Sequence, residues 1–115
     1  VEVIILVDRE RIEEKLCQLI CDNVRILKTS AVIQKEIFTE IEQTMVALLK
    51  AHQPEPLITK QTASLLYGYP YEVEGEAPYS DQTDFLLAHC RMMEQYFGLL
   101  LAGVLPEDRP YGRIL

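Results

Sequence analysis

A chain of 115 residues that is 49% hydrophobic and 25% charged can bury one core without disulfides or a metal, and is too apolar to stay disordered. Its 18 acidic against 11 basic residues leave a formal charge of −7, which disfavours nucleic acid and anionic membrane surfaces as partners. The three cysteines, Cys17, Cys21 and Cys90, are odd in number and sit within apolar patterns, as free thiols of a reducing, cytoplasmic compartment do.

Residues 1–7, VEVIILV, are β-branched enough to favour an extended arm or short strand. The alternative is the first turns of a helix, because Ile5, Ile12, Leu19 and Ile26 recur every seven residues. The segment has no basic lead and no small-residue cleavage site, so it does not read as a signal peptide. Asp8 caps a helix whose apolar face is Ile12, Leu16, Leu19, Ile20 and Leu27, reaching about Lys28. A second helix spans residues 30–52 through Ile33, Ile37, Ile41, Met45 and Leu48, with Phe38 and Leu49 alongside. No glycine or proline separates the two. Thr29 and Ser30 can cap a new start, and the first stripe would otherwise run on through Asn23, Ser30 and Gln34, so an antiparallel hairpin is favoured over one rod. Pro54 and Pro56 then end the second helix.

Thr59 caps a short helix over residues 60–67, with Gly68 as its stop, and residues 68–80, GYPYEVEGEAPYS, form one long loop. The last helix, residues 81–104, is capped by Ser80 or Asp81 and closed by Pro106. It carries two adjacent apolar stripes: Leu86, Cys90, Met93, Phe97, Leu100 and Val104, then Phe85, His89, Met92, Tyr96 and Leu99. The rest of it, Ala88, Arg91, Gln95, Gly98 and Ala102, is mostly small. Asp84, Arg91 and Glu94 argue against a membrane span. These readings combine into an all-α, single-domain helical bundle over residues 1–115, of three long helices and one short. An N-terminal arm occupies residues 1–7, and residues 105–115 form an irregular tail.

Motifs that carry chemistry are sparse. The segment around residues 59–68 has the outline of the first helix of a helix-turn-helix, but prolines and glutamates follow where a basic recognition helix belongs. Cys17 and Cys21 lie one turn apart, while His89 and Cys90 are adjacent and point about 100° apart, a poor arrangement for a shared zinc or a nucleophile–base pair. Glu36, Glu40 and Glu42 are expected on the solvent side of their helix. Accordingly no catalytic residue, metal ligand or cofactor is assigned.

The expected function is a non-enzymatic protein–protein interaction module: an adaptor, regulatory subunit or assembly chaperone. A DNA-binding regulator and a metal- or thiol-dependent enzyme are the alternatives. The wide apolar arc of the last helix predicts a homodimer formed through Leu86, Met93, Phe97 and Leu100. Tyr69, Tyr71, Glu72, Glu74, Glu76 and Tyr79 in the long loop are the expected binding residues, for a protein partner with a basic segment.

Overall fold

The computed structural model describes the backbone of residues 2–51 and 58–102, and side chains within that set from Arg9 onward. Within it the chain is all-α: α1 (Glu2–Ser30), α2 (Lys35–Ala51), α3 (Lys60–Glu76), a 3₁₀ turn (Ala77–Tyr79) and α4 (Thr83–Ala102). The expected end of the second helix at Pro54 and Pro56, and the tail over residues 105–115, lie outside the described residues.

The favoured extended arm is not formed: residues 2–7 are the opening turns of α1. Helix propensities of β-branched residues fall short of alanine's by at most about 0.7 kcal/mol each, too little to oppose a seven-residue apolar repeat that continues into the rest of the helix. Further along α1 the buried side chains are Glu13, Leu16, Ile20, Asn23 and Leu27, alternating three and four apart as one inward stripe. The helix stops without glycine or proline. Thr29 and Ser30 hydroxyls donate back to the carbonyls of Arg25 (2.7 Å) and Ile26 (2.8 Å), and Ala31 turns the chain at φ 57°. Its amide donates to Leu27 O, so Ala31 occupies the left-handed C′ position usually given to glycine. The hairpin reading therefore holds, with α2 starting at Lys35 rather than at residue 30.

Short connections make α1 antiparallel to α2 and α3 antiparallel to α4. Contacts such as Glu13 to Thr59 and Asn23 to Tyr69 rise together in number, so α3 runs parallel to α1. The same holds for α4 on α2, through Phe85 on Phe38 and His89 on Glu42. Each helix thus has two neighbours in a four-cornered bundle, α1–α2–α4–α3 around the square.

The largest departure from the sequence reading is in α3. It does not stop at Gly68 but continues through Pro70 to Glu76, so the expected loop over residues 68–80 is two further helical turns, a 3₁₀ turn and a bend. An interior proline costs about 3 kcal/mol and an interior glycine about 1. Against this, Tyr69, Pro70, Val73 and Ala77 are all buried, and a large side chain gains about 1.5–3 kcal/mol on burial. The Cys90 thiol also donates to the Pro70 carbonyl at 3.4 Å.

This extra length covers α4. Leu86, Cys90, Met93, Leu99 and Leu100 are buried and Phe97 is half-buried within the single chain. The expected self-association surface of Leu86, Met93, Phe97 and Leu100 is therefore corrected: these side chains belong to the intramolecular core. The small face, Ala88, Arg91, Gln95, Gly98 and Ala102, is the side of α4 that meets solvent. No described helix is long and apolar enough to cross a membrane.

Candidate functional site

Two features stand out, one inside the bundle and one on its surface. Inside, one polar side chain from each helix joins a single hydrogen-bonded row. Asn23 on α1 donates through Nδ2 to Tyr69 Oη on α3 at 2.8 Å. Tyr69 Oη lies 2.9 Å from His89 Nε2 on α4, and His89 Nδ1 lies 2.7 Å from Glu42 Oε2 on α2. Asn23 is fully buried, Tyr69 and His89 are 2% exposed, and Glu42 is the half-buried end that reaches solvent.

The Asn23 amide orientation sets every proton in the row. An amide nitrogen can only donate, so Tyr69 Oη accepts from it and directs its own proton to His89 Nε2. His89 is then neutral, with its proton on Nδ1 and aimed at the Glu42 carboxylate. Burial holds the imidazole below its ordinary range, opposed by the Glu42 hydrogen bond and charge. Burial likewise pushes the Tyr69 hydroxyl far above the usual phenol range, so it stays protonated. Phe38 and Tyr69 meet the His89 ring edge-on at 4.7 and 5.6 Å between centroids. Asn23 Oδ1 finds no donor among the described residues.

The sequence reading assigned none of this row as a unit. Tyr69 is corrected from a partner-facing loop residue to a core residue. Glu42 is corrected too, because it turns inward to His89 instead of standing in solvent, while Glu36 and Glu40 are exposed as expected. The available signals were Asn23 in the middle of one apolar stripe and His89 within another.

On the surface, Tyr67 and Tyr71 are 66% and 65% exposed on the outer face of α3, ring centroids 6.0 Å apart, and Tyr79 is 86% exposed just beyond it. The four-residue spacing stacks the first two along one side of the helix. Glu74 is exposed on the same face, whereas Glu72 points sideways to an ion pair with Lys28, and Glu76 is half-buried. Of the six expected binding residues, the structure therefore leaves Tyr71, Glu74 and Tyr79 exposed on the outer surface, and Tyr67 joins them.

The cysteines do not converge. Cys90 lies in the core, its thiol pushed up to about 11 by burial. Cys17 and Cys21 line a groove of about 610 Å³ between α1 and the start of α3, where Cys17 shares a hydrogen bond with Thr62 and burial raises its pKa. Glu13 spans the same groove, its Oε1 accepting from the Thr59 amide at 3.3 Å and hydroxyl at 3.2 Å, so α1 helps to cap α3. A second groove, of about 390 Å³, lies between Val24, Lys28, Leu65 and Gly68 with Tyr69 at its wall. Gly68, the expected turn of a helix-turn-helix, lies inside a continuous helix.

No protein-family model matches the chain, and no curated protein or solved structure is similar enough to it to count as a match.

Proposed function

We propose that this chain is a non-enzymatic protein–protein interaction module whose binding face is the outer side of α3 and the 3₁₀ turn that follows. The supporting observation is the pair Tyr67 and Tyr71: two large aromatic side chains exposed side by side on a helix whose opposite side is anchored in the core, with Tyr79 exposed on the 3₁₀ turn that follows. Tyrosine offers broad contact area with few rotors to freeze, and a rigid helix lowers the entropy lost on docking. Glu74 beside the rings favours a partner that brings a basic side chain to the aromatic surface, where stacking over a ring adds to the charge attraction. The groups best suited to acid–base chemistry, His89, Tyr69 and Glu42, instead hold the four helices to one another.

Affinity capture with the wild-type chain and with a Tyr67→Ala, Tyr71→Ala variant tests the reading. The variant is expected to lose its bound protein while its melting temperature stays within about 2 °C, because neither ring is packed into the core. Identical captured proteins from both would refute it.

A further inference from the structure

The outer stripe of α3 reads Lys60, Ser64, Tyr67, Tyr71 and Glu74, all exposed, with successive spacings of four, three, four and three. Its charge pattern is antisymmetric. Lys60 and Glu74 each lie seven residues from Tyr67, about 10.5 Å along the axis in opposite directions. Both charges oppose the dipole of their own helix, with a cation in the first turn and an anion near the last, where acid-first and base-last would be stabilising. Among the described residues neither has an ion-pair partner within the chain. Gly68 and Gly75 add a second oddity. Among the described residues, a Cβ built on either meets nothing within 4 Å, so no described neighbour requires these two helix-weakening residues.

From these features we infer that the partner of this face is a second copy of the chain, docked α3 against α3, antiparallel, about a two-fold axis beside Tyr67. The inference rests on the interaction-module reading above and names its occupant. In this register Tyr67 meets its own counterpart, Tyr71 lies over the small partner's Ser64, and Lys60 stands opposite the partner's Glu74. The two-fold forms that last pair twice. Each misplaced charge then faces the favourable end of the other helix's dipole. The glycines at the edge of the stripe leave room for the second backbone.

Light scattering over a dilution series tests this with two single charge reversals, Lys60→Glu and Glu74→Lys. Both suit the dipole of an isolated α3, so the monomer stays folded, as circular dichroism melting would verify. The wild type is expected to dimerise, and each single variant to do so about tenfold more weakly, because both copies of the ion pair become like-charge contacts. An equimolar mixture of the two variants is expected to recover wild-type association, since every 60–74 contact in the mixed dimer is again opposite in sign. A wild type that stays monomeric throughout would overturn the inference, as would single variants that dimerise normally or a mixture that fails to recover. Any of these would leave the interaction reading standing if the tyrosine variant still loses its captured partner.

Discussion

Replacing Tyr69 with phenylalanine removes one oxygen and leaves the ring in place. That oxygen is the acceptor for Asn23 Nδ2 and the donor to His89 Nε2, both among the most buried polar atoms of the bundle. Asn23 Oδ1 already has no donor among the described residues, so the variant strands the whole Asn23 side chain and one nitrogen of His89. A buried polar group left without its partner costs about 1–3 kcal/mol, so the two newly stranded groups together should cost about 2–6 kcal/mol. Unfolding entropy of roughly 2.1 cal/mol/K per residue converts each kcal/mol into about 4 °C for a chain of this length, an expected fall of about 8–24 °C. The sign of a second change is more diagnostic than the first. Asn23→Leu keeps the branched shape and heavy-atom count of the side chain and removes the stranded amide, so on the Tyr69→Phe background it should restore about 1–3 kcal/mol. Urea denaturation of the wild type, both single variants and the double variant measures the cycle, with exposed Tyr67→Phe as a control expected within about 0.5 kcal/mol of wild type. A loss below about 0.5 kcal/mol for Tyr69→Phe, or a double variant less stable than Tyr69→Phe alone, would refute the idea that this row holds the helices together.

Three other outcomes are expected. Burial lowers the His89 pKa on folding, so the unfolded chain binds more protons and stability should fall as pH drops below about 6.5 toward the folded-state value. Urea midpoints from pH 7.5 to 5 should show this slope in the wild type and a flatter one in His89→Gln; equal slopes would contradict it. Ala31→Gly should raise stability by about 0.5–1 kcal/mol in thermal melts, because glycine occupies a φ of 57° without the Cβ penalty. Gly98→Ala should stabilise by a similar amount, since a Cβ there meets nothing within 4 Å on the exposed side of α4, and a lower melting temperature would show that something approaches that backbone.

Periodicity alone was sufficient for the class of the fold and for most of its interior. Leu16, Ile20, Leu27, Ile41, Met45 and Leu48 were legible as inward positions and are buried, whereas Leu86, Met93 and Leu100 were legible as apolar but not as intramolecular core. That follows because helical spacing is a local property: a stripe three and four residues apart has one side to hide whatever it packs against. What no local rule could supply was the use made of the misfits. Asn23 resembled a break in a stripe, Pro70 a loop residue, and Glu42 a solvent-facing acid. Each is in fact a contact between helices, with hydrogen-bonded partners 20, 46 or 47 positions away. Once Tyr69, Val73 and Ala77 are buried, the penalties of Gly68 and Pro70 are offset and α3 runs on. The same continuation decides the geometry of the proposed binding face, because it sends Tyr69 inward, turns Tyr67 and Tyr71 out, and shelters the apolar arc of α4. Whether an exposed ring or a buried one results depended on which neighbours the helix found, and that information resides in the packing of four helices together.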